Sequence, residues 1–129
     1  MTGGFERVAP KGGALGIQGY TPGGGFRAGG RTFAQGLLIL PEAVHDWPVT
    51  TLEAVRLDQF APLATADPAI EILLIGTGGT MRRPDKTLLT ALKAQGLAVD
   101  FMDSRAAART YNVLVAEARR VAAALLPLL

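Results

Sequence analysis

Apolar runs that stop at glycine or proline set the framework of the predicted secondary structure. They predict buried strands, because a short apolar run bounded by turn residues fits the interior of a sheet. The predicted strands cover residues 37–40, 44–49, 70–75 and 97–102. Pro84 and Gly96 bracket a predicted helix over residues 85–95, since proline favours the first helical turn and glycine follows helix ends. This succession of strand, helix and strand predicts a right-handed parallel βαβ unit.

Two more helices and an ambiguous tail follow from the same pattern. Asp58 is a candidate cap for a short helix that a nearby proline limits to its first turns. Asp103 or Ser104 is expected to cap a final long helix. Residues 121–126 have a helix-favouring composition, so propensity alone predicts that helical structure continues to the end of this segment.

The first part of the chain is rich in glycine. Ten of the 16 glycines lie within residues 12–36, between short apolar pieces that include Ile17, Tyr20 and Phe26. Glycine takes positive φ without steric cost, so this spacing suits tight turns between short antiparallel strands. A flexible linker is the alternative, but linkers lack interleaved aliphatic and aromatic residues. The segment therefore predicts a small twisted sheet.

Length and composition fit one globular domain. The chain has 129 residues, of which 49% are hydrophobic and 19% charged, a balance that excludes disorder and supports a sizeable core. We expect a flexible N-terminus at residues 1–13 and a single α/β domain at residues 14–129. Because this composition leaves apolar surface to cover, a homo-oligomer is expected.

Charge and residue usage narrow the classes of function. The 13 Lys and Arg residues are scattered among 11 Asp and Glu residues, without the long basic stripe and interleaved aromatics of a nucleic-acid-binding protein. The short basic cluster at residues 82–86 is interpreted as a solvated loop or as an anion contact. The sequence contains no cysteine, which removes thiolate nucleophiles, Cys-ligated zinc and iron–sulfur clusters.

The sequence predicts neither a transmembrane segment nor a targeting signal. The longest apolar run, residues 121–129, is nine residues long and contains a proline, whereas a membrane span needs ~20 apolar residues. The N-terminus shows neither a signal-peptide core nor an Arg-rich transit helix. We therefore expect a cytoplasmic protein that can lie peripherally at the membrane through a partner protein.

The inventory of catalytic side chains is small. A Ser–His–acid triad would need both His45 and Ser104, the single histidine and the single serine of the chain. Ser104 is better explained as a helix cap, and the scattered carboxylates offer no spaced set of metal ligands. Asp100 and Asp103 lie at a strand end ahead of a helix, where capping and solvation explain them. We expect no enzymatic activity, no cofactor and no metal.

The strongest chemical signal is the loop Gly76-Thr77-Gly78, which follows the predicted strand at residues 70–75. Glycines at the carboxyl end of a parallel strand can aim backbone N–H groups at a phosphate or a carboxylate. Met81 stands where the third glycine of a G-x-G-x-x-G dinucleotide fingerprint belongs. A plain turn, a small-anion site and a dinucleotide site all stay open as interpretations.

Asn112 is unusual because asparagine lowers helix propensity in the middle of a predicted helix. Its neighbours Tyr111 and Leu114 mark the buried side of that helix, and a buried amide needs hydrogen-bond partners. We expect its side chain to face the loop at residues 76–78, and the alternative is a solvated position at the edge of the apolar face. Arg119 could add positive charge nearby and make the pocket a weak anion site.

Two stretches in the right order and at the right separation carry a family resemblance. They are Ile-Glu-Ile-Leu-Leu-Ile-Gly-Thr-Gly at residues 70–78 and Ala-Arg-Thr-Tyr-Asn-Val-Leu at residues 108–114. Glu-Ala-Arg at 117–119 and Ala-Ala-Leu-Leu-Pro at 123–127 extend the match. Over residues 14–127 the chain resembles a domain family of unknown function that includes the mitochondrial NADH dehydrogenase (complex I) assembly factor 3 and the adipogenesis-associated domain protein.

The resemblance implies a compact three-layer α/β domain with a mixed central sheet, an additional small β layer and helices on one side, often as an oligomer. It also implies a strand for residues 121–126, against their helix propensity. Many relatives have glycine where this chain has Ala118. The positions that the family pattern singles out are Gly76, Thr77, Gly78, Tyr111, Asn112 and Arg119.

The resemblance implies no established catalytic activity, and without a visible transit peptide the chain looks like a bacterial relative of the mitochondrial members. The resemblance therefore implies a non-enzymatic accessory protein, similar to a respiratory complex I assembly factor, that acts through protein–protein binding. The implied partners are subunits of a respiratory complex or of the membrane-insertion machinery. The alternative is a domain that binds a small molecule, a nucleotide or another anion through the glycine loop. The candidate pocket for that alternative combines Gly76, Thr77, Gly78, Asn112 and Arg119.

Overall fold

The computed structural model describes residues 14–128, and the flexible stretch expected at residues 1–13 lies outside them. Within the described residues the chain forms eight strands and three helices. The strands are β1 Ile17–Tyr20, β2 Phe26–Ala28, β3 Arg31–Phe33, β4 Gly36–Leu40, β5 Ala43–Trp47, β6 Ile72–Gly76, β7 Ala98–Met102 and β8 Val121–Leu125. The helices are α1 Ala61–Ala64, α2 Lys86–Ala94 and α3 Ser104–Ala116, with two 3₁₀ turns, Leu52–Ala54 and Leu57–Phe60, ahead of α1.

The glycine-rich segment forms a small antiparallel sheet in the order β1-β2-β3, as its turns and apolar pieces predict. Phe26 and Phe33 pair across β2 and β3, and both are buried. Gly25 precedes β2 at a point where a Cβ atom would lie 2.1 Å from the carbonyl oxygen of Phe33, so only glycine fits. The β2–β3 turn uses Gly29 and Gly30 at φ of 58° and 75°, a region that glycine adopts without steric cost.

The central sheet is mixed and has the strand order β5-β4-β8-β6-β7. β6 is parallel to both β7 and β8, whereas β4 is antiparallel to β5 and β8. The predicted parallel βαβ unit is therefore present as β6, α2 and β7. These features confirm the α/β class, the mixed central sheet and the additional small β layer.

Strand β8 corrects the helix that propensity predicts for the tail. Val121–Leu125 is a strand inside the sheet, paired with β4 on one side and with β6 on the other. Its alanines, Ala122, Ala123 and Ala124, are fully buried. Hydrogen bonding to two neighbouring strands outweighs the modest helix preference of alanine, because propensity is a weak prior that tertiary context overrides. The strand implied by the family resemblance is confirmed.

Each face of the central sheet carries its own hydrophobic core. On one face, α2 and the turn around Phe60 pack against Leu73 and Ile75. On the other face, α3 and the small sheet pack against Leu74 and Leu125. The helices thus lie on both faces and not on one side as expected. β7 lies on one side of β6 and β8 lies on the other, so the connection from β6 to β7 and the connection from β7 to β8 run in opposite directions across the sheet. Because both connections are right-handed, their helices α2 and α3 lie on opposite faces.

One of the two predicted helix caps is confirmed and the other is wrong. Asp103 caps α3, because its carboxylate accepts a backbone N–H of the first turn at 2.9 Å, and Ser104 is the first helical residue. Asp58 does not cap the turn before α1. Arg56 holds the cap position there, and its backbone N–H donates to Gln59 Oε1 at 2.9 Å.

Candidate functional site

The loop after β6 lies where α/β proteins commonly bind ligands. It sits at the carboxyl ends of the parallel strands, between crossovers that leave for opposite faces of the sheet. In this protein the loop is closed by its own hydrogen bonds. Thr77 N–H donates to the Met102 carbonyl at 2.8 Å, and Gly78 N–H donates to Ser104 Oγ at 2.9 Å. Both amides are thus directed into the protein and are unavailable to an anion.

Ser104 ties the carboxyl ends of β6, β7 and β8 together. Its fully buried hydroxyl donates to the Leu126 carbonyl at 2.6 Å and accepts from Gly78 N–H at 2.9 Å. Gly76 permits this approach, because a Cβ atom there would lie 2.8 Å from Ser104 Oγ and 2.7 Å from a methyl group of Leu125. Helix capping was the role predicted for Ser104 and this role was missed, although a serine directly after a capping aspartate was a usable signal.

Thr77 closes the remainder of the loop. Its Oγ1 donates to the Thr80 carbonyl at 2.7 Å and accepts from Arg82 N–H at 3.1 Å. The residue is only 5% exposed, so these bonds form away from solvent. Of the interpretations left open by the sequence, the contacts favour a structural turn over a phosphate cradle.

Asn112 has a different partner from the one expected. Its Oδ1 accepts from Ile17 N–H at 2.8 Å, and its Nδ2 donates to the Ile17 carbonyl at 2.9 Å. The amide thus pairs with the edge of β1 much as a neighbouring strand would. The prediction that Asn112 contacts the loop at residues 76–78 is wrong, because α3 presents it to the small sheet and Ser104 occupies the place beside the loop.

Tyr111 supports the same junction between α3 and the small sheet. Its ring is fully buried, and its hydroxyl donates to the Leu15 carbonyl at 2.9 Å. Burial raises the pKa of the Tyr111 phenol well above its ordinary value, so the hydroxyl keeps its proton and remains a donor. Adjacent residues of α3 therefore hold the chain that leads into β1 through three side-chain hydrogen bonds.

Arg119 lies at the other end of the sheet from the glycine loop. It directly precedes Arg120, whose carbonyl accepts from Glu71 N–H at 2.9 Å and from Ile72 N–H at 3.2 Å, at the start of β6. Gly76 ends the same strand, about 13 Å further along at ~3.3 Å per residue. The structure therefore places the glycine loop, Asn112 and Arg119 in three different parts of the molecule and does not bring them together in one pocket.

Arg119 instead lines an open cleft of about 470 Å³ at the amino ends of β6 and β8. Much of the cleft wall is apolar, with Leu40, Pro62 and Ile70 among the lining residues. Ala118, also in the lining, takes φ of 63°, where α3 ends with Arg119 N–H donating to the Leu114 carbonyl at 3.0 Å. Glycine, which the resemblance implies for relatives at this position, takes this left-handed conformation without strain, whereas alanine holds it under strain.

The other candidate side chains do not form a reactive group. His45 lies on the edge strand β5, with β4 and β8 between it and β6, while the Ser104 hydroxyl is engaged with Gly78 and Leu126. Across residues 14–128, the His, Asp and Glu side chains form no group of three or more placed to hold a metal ion. In the same part of the chain, every helix is too short or too polar to cross a membrane.

Sequence comparison relates the chain to a family and to named relatives. A family model described as a protein of unknown function (DUF498/DUF598) matches residues 17–126. An uncharacterized protein of Rhodobacter capsulatus is 40% identical over 116 residues, which cover 90% of this chain and 87% of the relative. The NADH dehydrogenase (ubiquinone) 1 alpha subcomplex assembly factor 3 of Xenopus tropicalis is 34% identical over 103 residues, which cover 80% of this chain and 56% of that protein.

Structure comparison gives the same relationship. The solution NMR structure of a Bordetella pertussis protein described as a Mth938-like domain matches with a TM-score of 0.79 and 30% sequence identity. The match covers 95% of this chain and 92% of that one. The fold is therefore shared along nearly the full length of both chains, whereas the Xenopus assembly factor is matched over just 56% of its length.

Proposed function

The chain belongs to the DUF498/DUF598 family, and from this membership we propose that it is a non-enzymatic accessory protein that assists the assembly of a respiratory complex by binding other proteins. The observation that carries the proposal is the 34% identity to assembly factor 3 over 80% of this chain. Because the matched part is 56% of that relative, the proposal concerns the role of this domain and not that of the whole relative.

The closed glycine loop supports a binding role at the surface. The backbone N–H groups of Thr77 and Gly78 donate to partners inside the protein. They are therefore not available to bind a phosphate, as backbone N–H groups at this place in the topology often do. Large apolar side chains are exposed at Leu57, Met81 and Val113, by 40%, 62% and 57%. Exposed apolar groups of this size suit contacts with other proteins or with further copies of the chain.

The proposed partners are subunits of a respiratory complex or of the membrane-insertion machinery. In this proposal the protein acts from the cytoplasm, at the membrane surface, and as a homo-oligomer. Assembly factors hold incomplete complexes, so the proposed contacts are with subunits before they join the finished complex and not with the finished complex itself.

Affinity capture tests this proposal directly. The tagged full-length chain is bound to membranes solubilised from cells that make respiratory complexes, and the captured proteins are identified by mass spectrometry. We expect respiratory-complex or membrane-insertion subunits to be enriched over an unrelated tagged protein of similar size and charge. Capture of neither class, with the bait shown to be folded by circular dichroism, contradicts the proposal.

A second candidate function is the binding of a small anionic ligand, and the cleft beside Arg119 favours it. Its volume of about 470 Å³ lies in the range of small-molecule pockets, ~300–1,000 Å³, and its walls combine apolar and charged groups. Thermal shift with nucleotides and phosphorylated metabolites tests it, since a ligand at ~100 times its dissociation constant stabilises the native state by about 2.7 kcal/mol. Arg119→Ala should abolish the shift, and Arg83→Ala, outside the cleft, should keep it. A flat response excludes the ligands tested.

A further inference from the structure

Two arginine side chains of α3 lie beside one short piece of β1. The guanidinium carbon of Arg105 lies 4.6 Å from the ring centroid of Tyr20. Arg109, one turn further along α3, lines a small cavity of about 180 Å³ together with Gly19 and Tyr20. Arg27 of β2 lies on the opposite face of the small sheet, because it pairs with Gly19, the neighbour of Tyr20, and successive residues of a strand point to opposite faces. We call Arg105 and Arg109 the arginine surface.

The charge of the arginine surface is not neutralised by the described part of the chain. The ion pairs found there join Arg56 with Asp58, Arg82 with Glu53 and Arg120 with Glu71. Neither arginine of the surface forms an ion pair or a hydrogen bond with a residue in the range 14–128. The two side chains are neighbours at i and i+4 on the helix, and their like charges repel, so an anion placed between them gains attraction from both.

The acidic groups at the two ends of α3 form no ion pair with this surface. The Asp103 carboxylate precedes Arg105 but points to the helix cap, where it accepts a backbone N–H at 2.9 Å, and it is not among the ion-paired groups of residues 14–128. Glu117 lies about 12 Å from Arg109 along the helix axis, at ~1.5 Å per residue. That separation exceeds the ~8 Å screening length of physiological salt, so Glu117 has little effect on Arg109.

The arginine surface is built on a rigid base. Tyr20 packs edge-on against Phe26, with ring centroids 6.0 Å apart, and Arg105 covers its exposed face. The Asn112 amide fixes β1 to α3 through its two bonds to Ile17 at 2.8 and 2.9 Å. The guanidinium groups are therefore attached to elements that are already fixed to each other. Binding then orders less of the protein, so a partner has a smaller loss of conformational entropy to offset.

We propose that the arginine surface binds an acidic segment of a partner protein, with carboxylates accepting from the guanidinium groups of Arg105 and Arg109. Guanidinium and carboxylate match each other as paired donors and acceptors, which makes this the favoured anion. Val113 lies one turn beyond Arg109 and is 57% exposed, so the segment carries an apolar side chain beside its acidic residues. The inference rests on the proposed protein-binding function and names the surface that serves it.

The geometry favours a protein segment over single-stranded nucleic acid. Proteins that bind single strands stack bases on open aromatic faces. Here Arg105 covers the Tyr20 ring, and Phe26 and Phe33 are buried, so the surface offers no open face for stacking.

The test uses the full chain and a fluorescent, short, Glu-rich peptide that carries one leucine, with binding followed by anisotropy. We expect binding that weakens as salt is raised and that falls by about tenfold or more when Arg105 and Arg109 are both changed to Gln. The matched control is Arg83→Gln, because the Arg83 guanidinium carbon also lies over an aromatic ring, 5.7 Å from the centroid of Phe101, but outside the surface. These residues are exposed, so unchanged melting temperatures show that each variant is folded.

Three results overturn the inference: no binding of the peptide, an equal loss in the Arg83 variant, or binding of a single-stranded oligonucleotide or of phosphatidylserine vesicles in place of the peptide. Affinity capture of subunits from solubilised membranes distinguishes failure of this inference from failure of the proposed function. If wild type and the Arg105/Arg109 double variant capture the same subunits, the function stands and the surface is wrongly assigned. If neither protein captures any, the proposed function fails, whatever the peptide does.

Discussion

The two ends of the central sheet are built in opposite ways. At the carboxyl ends of β6, β7 and β8, Ser104 joins the loop at residues 76–78 to its neighbours through hydrogen bonds of 2.6 and 2.9 Å. At the amino ends of β6 and β8, the chain leaves an open cleft of about 470 Å³ beside Arg119. The end at which parallel sheets usually hold a ligand is thus the closed one.

This difference shows that position in a topology does not by itself assign a function. The glycine loop has the location and part of the sequence of an anion site, yet its amides serve the fold. The cleft and the arginine surface stay open instead, and of these the sequence singles out Arg119 at the cleft but neither arginine of the arginine surface. Substitutions should therefore lower the free energy of unfolding at the closed end, whereas the open end should tolerate substitutions or even be stabilised by them.

The largest effect is expected at the closed end, from Ser104→Ala. The change leaves the Gly78 N–H and the Leu126 carbonyl without their partner in a buried place, and each such group costs ~1–3 kcal/mol. We expect the free energy of unfolding to fall by about 3 kcal/mol, measured by urea denaturation. Thr90→Ala removes a hydroxyl from an exposed helix position and should change stability by less than ~0.5 kcal/mol. Equal losses in the two variants would show that the closed end is not a stabilising element.

The next effect concerns the edge of β1, where Asn112 substitutes for a neighbouring strand. Asn112→Ala leaves both polar groups of Ile17 without their partner, and we expect a loss of about 2 kcal/mol. Asn112→Asp should be no better, because a carboxylate has no donor for the Ile17 carbonyl. Amide hydrogen exchange locates the effect: β1 should lose protection while β6 keeps it. Unchanged protection in β1 contradicts the assigned role.

At the open end, a substitution is expected to stabilise the protein. Ala118 holds φ of 63°, and a left-handed conformation costs a residue with a Cβ atom ~1–2 kcal/mol. Ala118→Gly should therefore raise the free energy of unfolding by about 1 kcal/mol, after the entropy cost of glycine is included. Ala91→Gly, in the interior of α2, should lower it by about 1 kcal/mol, and thermal unfolding compares the two. Losses of the same size at both positions would show that Ala118 is not strained.

The parts of this fold that could be predicted are those that depend on local pattern. The apolar run at residues 70–75 and the bracket of Pro84 and Gly96 locate β6 and α2 to within about two residues. Strand β8 could not be found this way, because alanine prefers helix and only the strands on both sides of it decide its conformation. The family resemblance supplied that element.

The candidate site shows the same limit. Gly76 and Asn112 were unusual in sequence, Arg119 was singled out by the family resemblance, and each has a specific environment in the structure. Their partners, however, lie far away along the chain: Asn112 bonds to a residue 95 positions earlier. No local pattern encodes such a distance, so sequence identified notable residues but not what they contact.

The smallest expected effect lies in the loop that leaves the closed end. The Arg82 guanidinium bonds to the Glu53 carboxylate, and this hydrogen bond holds the pKa of Glu53 below its ordinary value. A carboxyl group with a lowered folded-state pKa stabilises the fold above its unfolded-state pKa, and that contribution is lost as the pH falls through the folded-state pKa. Both side chains are more than half exposed, so solvent screening keeps the effect on stability small, and the pKa itself is the better observable. In Arg82→Gln, the Glu53 pKa followed by NMR of its carboxyl carbon should rise toward the ordinary value, whereas Arg83→Gln should leave it in place. A Glu53 titration that does not move in Arg82→Gln would mean that this pair does not form in solution and that the loop beyond Thr77 is held by the bonds of the Thr77 hydroxyl to Thr80 and to the Arg82 backbone.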